Sequence, residues 1–216
     1  MKKKLLFSIM AVAAMLFVAC QDETTCRIYG TVVGDQYEGK RVFLVPFSGP
    51  ATAETVDSIE VKDGKFEFSP DSMQMYKILL DIHYRYGLQP LILVAEPGDI
   101  TVVIDSISSA KGTPQNDSLQ VWKEITEYIT RQTSALNRLI KAKRKQNDTI
   151  EAVQLEKQVK DMRLEYKRRT RAMGANMEGT ILGTFLSGMF PLTYKRTLPD
   201  GTVVEMDADT NQPVSK

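Results

Sequence analysis

One histidine and two cysteines serve a chain of 216 residues, and no Cys-x-x-Cys pair occurs in it. Disulfide exchange needs an attacking thiolate and a resolving partner, so a dithiol oxidoreductase is excluded. With His83 as the single histidine, a three-histidine zinc site is excluded as well, and no ligand spacing supports a mixed one. There is no G-x-x-x-x-G-K-[ST], no G-x-G-x-x-G behind a strand, no G-x-S-x-G and no H-E-x-x-H. Those patterns cradle phosphates, bind dinucleotides, expose a nucleophilic serine or seat a catalytic zinc. Asp207-Ala208-Asp209-Thr210-Asn211 opens like a calcium loop, but Gln212 stands where that loop needs glycine. His83 falls between Asp81 and Arg85 on the polar side of a predicted strand, with no recognisable nucleophile to activate. The chain therefore reads as a non-enzyme without metal or cofactor.

Long apolar runs are also scarce. The longest, Leu5–Val18, is about 14 residues, short of the roughly 20 that span a bilayer as a helix. It follows Lys2-Lys3-Lys4 and precedes Ala19-Cys20. A positive segment, a short apolar segment and a small residue form a secretory signal, and the cysteine that follows makes residues 1–19 resemble a bacterial lipoprotein signal. The expectation is lipidation at Cys20, giving an outer-membrane lipoprotein held by acyl chains at about 0.8 kcal/mol per buried CH₂. Residues 20–25 form a polar tether. Its Gln21-Asp22-Glu23 resembles the surface-export signal of Bacteroidota lipoproteins, which leaves both a periplasmic and a surface-exposed location open. With Cys20 lipidated, Cys26 becomes the lone candidate free thiol. It reads as a reactive thiol, an intermolecular disulfide partner or, at a strand position, a small buried apolar residue.

Charge is divided along the chain. Gln21–Ser118 holds 15 acidic and 8 basic residues, whereas Leu119–Arg171 holds 7 acidic and 14 basic ones. The shift marks a boundary near residue 116. The basic half fits a solvated helical face or an acidic partner surface. Without interleaved aromatics it does not fit nucleic acid.

Residues 26–115 read as about seven short strands: Arg27–Val33, Arg41–Phe47, Thr55–Val61, Lys65–Phe68, Met75–Tyr84, Pro90–Ala95 and Ile100–Asp105. Asp63-Gly64 predicts a tight hairpin turn, and Glu96-Pro97-Gly98-Asp99 a second, type II one. From Tyr76 to Tyr86 apolar and polar residues alternate, as a one-sided antiparallel sheet requires. Within residues 116–190 the period changes. Trp122, Ile125, Ile129, Gln132, Leu136 and Leu139 mark one amphipathic helix, and Ala152, Leu155, Val159, Met162 and Tyr166 a second. Asp148 and Glu151 are placed as a capping box between them. A third, more apolar helix runs from about Glu178 to Met189. Residues 191–216 read as a β-hairpin around Pro199-Asp200-Gly201 and a disordered tail. The expected fold class is thus α+β: an antiparallel β-sandwich-like domain, then an antiparallel helical hairpin and a short helix. The narrow seams of the hairpin suit pairing with a protein partner or a second copy.

A set of short motifs adds to this. Ile28-Tyr29-Gly30, Gly39 before Val42-Phe43-Leu44, Asp57-Ser58, Asp63-Gly64-Lys65-Phe66-Glu67-Phe68, Glu96-Pro97-Gly98 before Ile100, and Gly112-Thr113 with Asn116 occur in that order. Together, and weakly on through Asn176 and Gly179–Phe190, they resemble domain-of-unknown-function family 4369. That family precedes thioredoxin-like domains in Bacteroidota envelope proteins of the AhpC/TSA type. The resemblance implies a cell-envelope module. It carries no activity over, because no Cys-x-x-Cys pair is present. The readings left open are a non-catalytic binding or scaffolding module, an accessory partner of envelope thiol-disulfide oxidoreductases, and an enzyme with an unrecognised site gathered around His83.

Overall fold

The computed structural model describes residues 25–80 and 90–214. Eight strands come first: β1 (Cys26–Val32), β2 (Arg41–Pro46), β3 (Asp57–Glu60), β4 (Lys65–Phe68), β5 (Met75–Leu80), β6 (Leu91–Val94), β7 (Gly98–Ile104) and β8 (Ser109–Lys111). Three helices follow, α1 (Pro114–Lys145), α2 (Thr149–Asn176) and α3 (Ile181–Met189), and then β9 (Thr193–Thr197) and β10 (Val203–Asp207). The expected α+β class and element order hold.

The strands form two four-stranded sheets, β4-β1-β7-β8 and β3-β2-β5-β6, with β9 and β10 paired separately. Successive side chains on a strand point to opposite faces. In β1, Cys26, Ile28, Gly30 and Val32 accordingly turn inward while Arg27, Tyr29 and Thr31 turn out. Ile28, Leu44, Ile78, Leu93, Ile100 and Val102 fill the space between the sheets. The alternation read over Tyr76–Tyr86 is present as far as Leu80. Its remainder, with Asp81, His83, Tyr84, Arg85 and Tyr86, lies outside the described residues, as does Cys20.

The predicted turn at Asp63-Gly64 forms, whereas Glu96–Asp99 is a bend at Pro97 rather than a hydrogen-bonded turn, and neither closes a hairpin within one sheet. Asp63 and Gly64 have the positive φ values, 51° and 67°, of a tight turn. The Glu38 carboxylate accepts from both their amides at 2.9 and 3.0 Å. Beyond the single Lys62–Lys65 bridge, β3 enters one sheet and β4 the other. Gly98, at φ 116°, likewise passes the chain from β6 to β7 in the opposite sheet. Because β7 arrives from the other sheet, it lies parallel to β1, from Cys26 opposite Gly98 to Val32 opposite Ile104. That sheet is mixed rather than antiparallel.

Gly30 shows why such positions are glycines. It faces Phe66 across β1 and β4, and the Phe66 ring occupies the place of a side chain: a Cβ on Gly30 would lie 1.9 Å from it. The ring fills the gap that the glycine leaves in the strand.

The helices add a third layer, with the short α3 packed against both the sheet and α1. The outer face of the β3-β2-β5-β6 sheet presents Met75 and Val94 to Leu119, Trp122, Leu182 and Leu186 of the helices. Phe185 of α3 sits edge-on to both Phe47 and Trp122, with centroids 5.4 and 5.9 Å apart. The C-terminal segment also departs from expectation. It is ordered through Val214 rather than disordered from residue 207, with Met206 bridged to Pro213. Asp207 folds it by accepting from the amides of Asp209 and Thr210 at 2.9 and 2.7 Å. Arg171 then clamps it to α2, donating to both Asp209 oxygens at 2.9 and 2.8 Å and to the Phe190 carbonyl at 2.8 Å. The guanidinium holds the Asp209 carboxyl below its usual range.

Candidate functional site

The site is built on α1, so what fixes α1 comes first. Asn116 is fully buried. Its Oδ1 accepts from the Val94 amide at 2.9 Å and its Nδ2 donates to the Val94 carbonyl at 2.7 Å. Since β6 is the edge strand of its sheet, this side chain stands where another strand would pair. Glu96 supplies the helix cap that Thr113 does not make. Its Oε1 accepts from the amides of Gln115 and Asn116 at 2.7 and 3.2 Å, a favourable place for a carboxylate beside the positive end of a helix. Gln115 accepts from the Leu182 amide at 2.9 Å, tying in α3. One buried polar knot thus locks sheet, long helix and short helix together.

From this base α1 runs 32 residues, about 48 Å at 1.5 Å per residue. The α2 helix returns beside it after the turn at Gln146–Asp148. Asp148 caps α2 by accepting from the Glu151 amide at 3.1 Å. Glu151 itself turns to Lys143 rather than completing the predicted box. Along the α1–α2 contact, Trp122 Nε1 donates to Thr170 Oγ1 at 3.3 Å, and Thr126 Oγ1 meets the Tyr166 hydroxyl at 2.8 Å.

The single stripe predicted on α1 proves to be two. Trp122, Ile129 and Leu136 belong to the side that packs on α2, continued by the buried Thr133 and Ile140. Ile125, Gln132 and Leu139 belong to a neighbouring stripe completed by Val121, Tyr128 and Ala135, again at spacings of 4 and 3. This second stripe is uncovered: Val121, Tyr128 and Leu139 are 51, 54 and 51% exposed. Its first half, Val121, Ile125 and Tyr128, floors an open groove of about 510 Å³ along one side of the hairpin, together with Ile129 and with Met162 and Tyr166 of α2. Three carboxylates line its rim, Glu124, Asp161 and Glu165, with Arg169 as the one cation among its lining residues. Lys160, Arg163 and Lys167 lie elsewhere, lining a second hollow that reaches the C-terminal turn at Ala208 and Asp209. Lys123 is set into α1 with no hydrogen-bond partner for its amine among the described residues. Burial pushes its pKa down to about 8, against the pull of Glu124.

The sequence-predicted residues do not gather with the groove. Cys26 is a buried core residue, 2% exposed, and burial pushes its thiol pKa up. Among the described residues it has no disulfide partner. A buried thiol of raised pKa supplies little thiolate, which counts against a redox role for it. Among the described residues no group of three or more His, Cys, Asp or Glu side chains could hold a metal ion, and no helix is long and apolar enough to cross a membrane.

Several of the family-like motifs of the sandwich have folding tasks. Gly30 admits Phe66, and Asp63-Gly64 makes the corner. A Cβ on Gly112 would lie 2.7 Å from the Asp99 carbonyl, and Asn116 and Glu96 seat α1. Residues 26–119 match a family model, and that model is DUF4369, a domain of unknown function. The DUF4369 match stops in the second turn of α1, so the groove lies beyond it. The match covers the sandwich and the start of α1, while the rest of α1, α2, α3 and the C-terminal hairpin lie outside the matched range. No curated protein and no solved structure shows significant similarity to the chain.

Proposed function

We propose that the chain is a lipid-anchored cell-envelope protein with a non-catalytic binding role. In this reading the DUF4369 sandwich is the rigid base, and the α1–α2 hairpin is the arm that meets a protein partner. The observation that carries it is the second heptad stripe of α1. A helix needs one apolar stripe to pack on its neighbour; α1 has two, and the surplus lies open in a groove. Contiguous exposed apolar surface of this kind marks interaction sites.

The anchor fits the geometry of the base. Residues 20–25 reach at most about 20 Å when fully extended. Thr25 is held against the start of β7, where its carbonyl accepts from the Gly98 amide at 2.9 Å. Lipid on Cys20 would therefore hold the root of the hairpin close to the membrane, with the arm free to reach along it or away from it. The burial of Cys26 favours this binding role over that of an accessory to thiol-disulfide oxidoreductases.

The test is the size of the native assembly. Protein extracted in mild detergent from its own membranes is expected to migrate as a complex larger than a detergent-bound monomer. A Val121→Glu/Tyr128→Glu variant, altered only at exposed positions, should collapse to monomer size with its melting temperature within a few degrees of the parent. Equal migration of the two would refute the proposed role of the hairpin. A Cys20→Ser variant should leave the membrane fraction; its retention there would refute the anchor.

A further inference from the structure

The two sides of the hairpin differ in charge. Measured from the buried Val159, Lys160, Arg163 and Lys167 fall roughly 40–100° to one side of α2, and Asp161, Glu165 and Arg169 roughly 80–160° to the other. The hollow on the first side is about 550 Å³, floored by Ile140, Val159 and Leu164. Its cations are the unbalanced ones. Arg138–Arg169 holds 11 basic and 5 acidic residues, and each of those acids has a basic partner. Asp148 and Glu151 meet Lys143, Glu156 meets Arg144, Asp161 meets Lys157 and Glu165 meets Arg169. Asp209, at the far rim of the hollow, is taken by Arg168 and Arg171. Among the described residues Lys160, Arg163 and Lys167 have no ion-pair partner. The same holds for Lys141, which stands four residues beyond the lining residue Asn137 and so on the same face of α1.

Four uncommitted cations on one side fix the sign of what that side meets: it is anionic. We infer that this side of the hairpin rests on the anionic headgroups of the membrane that carries the chain, with Lys141, Lys160, Arg163 and Lys167 meeting lipid phosphates. This rests on the lipid-anchor reading, and it says which way the arm turns. Lysine and arginine near an anionic surface are drawn to it, their long stems letting the charges reach the phosphates. The rest of the chain offers no competing face. Gln21–Ser118 holds 15 acidic and 8 basic residues, so the same surface repels the sandwich and attracts the hairpin. An acidic protein has the right sign too, but nothing holds it beside the hairpin. A tether of at most about 20 Å keeps the headgroups there at high effective concentration. With its basic side down on the membrane, the arm turns the opposite side, with Val121 and Tyr128, toward a partner.

The probes are vesicles of phosphatidylcholine alone and vesicles with an equal share of phosphatidylglycerol. The chain from residue 20 onward, carrying Cys20→Ser, has no acyl group, so a failed anchor and a failed docking side give separate results. It should cosediment with the phosphatidylglycerol vesicles at least about tenfold more tightly than with the neutral ones, and added salt should weaken that binding. Lys160→Gln/Arg163→Gln/Lys167→Gln should bind on the order of a hundredfold more weakly, each charge near the surface counting for roughly fivefold. Arg131→Gln/Lys195→Gln/Arg196→Gln loses the same charge at exposed positions that do not line the hollow, and it should bind like the parent. Both variants should melt within a few degrees of the parent. Equal losses in the two variants would reduce the effect to net charge and overturn the inference. No partition into either vesicle, or equal partition into both, would overturn it as well. Capture of a labelled poly-glutamate peptide through Lys160, Arg163 and Lys167, with no partition into vesicles, would assign this side to an acidic protein instead of the membrane.

Discussion

Gly183→Ala is expected to lower the melting temperature by roughly 6–12 °C, taking about 3 kcal/mol of overpacking and about 2–4 °C per kcal/mol for a domain of this size. Gly183 is buried at the start of α3, where its amide donates to the capping Thr180 hydroxyl at 3.0 Å. A Cβ there would lie 1.9 Å from the Met177 carbonyl oxygen, 2.6 Å from the carbonyl carbon and 3.1 Å from the Gly174 carbonyl oxygen. These are backbone atoms, so no rotamer change relieves the clash; α3 must move away from the end of α2. Leu182 and Leu186, both fully buried against Met75, Val94 and Trp122, move with it. The effect should therefore fall on the contact of the helical layer with the sandwich. Gly188→Ala is the control. Nothing lies within 4 Å of a Cβ at that position, so the substitution should be neutral or stabilise by up to about 1 kcal/mol through helix propensity. Equal melting temperatures for the two variants would contradict the packing described for α3.

Asn116→Asp is expected to destabilise the fold by about 3 kcal/mol near neutral pH, and to recover part of that on acidification. The new carboxylate could still accept from the Val94 amide. Its second oxygen, however, would face the Val94 carbonyl at the present 2.7 Å and Glu96 Oε1 at the present 3.4 Å, with no hydrogen to share. Two carboxylates this close cannot both ionise readily, so the folded state raises the pKa of the introduced acid. Its penalty is absent at pH values below the unfolded pKa near 4. It grows as pH rises from there, until the acid ionises in the folded state too. Melting the variant from pH 5 to pH 8 should thus show a falling midpoint relative to the parent. Asn116→Leu should be destabilised by a similar amount, because the Val94 amide and carbonyl lose their partner at about 1–3 kcal/mol each, but with no pH dependence of its own. A flat profile for Asn116→Asp would mean that Glu96 and residue 116 are not coupled as the hydrogen bonds indicate.

Local chemistry was legible in the sequence. The alternation that names β5, the turn at Asp63-Gly64 and the cap at Asp148 each depend on residues within a few positions of one another. Which sheet a strand joins was not. Asp-Gly fixes a reversal of direction but not the rotation of the two arms, so β3 and β4 could part into different sheets with the same turn sequence. The Arg171–Asp209 clamp joins residues 38 positions apart and leaves no periodic signature, which is why residues 207–214 read as a free tail. The groove was half legible. The stripe read on α1 took Trp122, Ile129 and Leu136 from the side facing α2, and Ile125, Gln132 and Leu139 from the open side. Two seams lie about 100° apart on a helix when their residues are adjacent in sequence, so one period fits both. Counting Val121, Tyr128 and Ala135 beside Trp122, Ile129 and Leu136 would have separated them.

The measurement that tests the central claim most directly is photo-crosslinking in native membranes, with a benzophenone amino acid placed at Tyr128 in the groove or, as the comparison, at Glu67 on the outer face of the sandwich. Both positions are solvent-facing strand or helix sites, so both variants should fold. A discrete adduct heavier than the chain from position 128, lost when Val121→Glu is added, with none from position 67, is the result predicted for a hairpin that carries recognition on a sandwich that supports it. Adducts from position 67 alone, or from both positions alike, would contradict that division and move the binding surface to the sandwich.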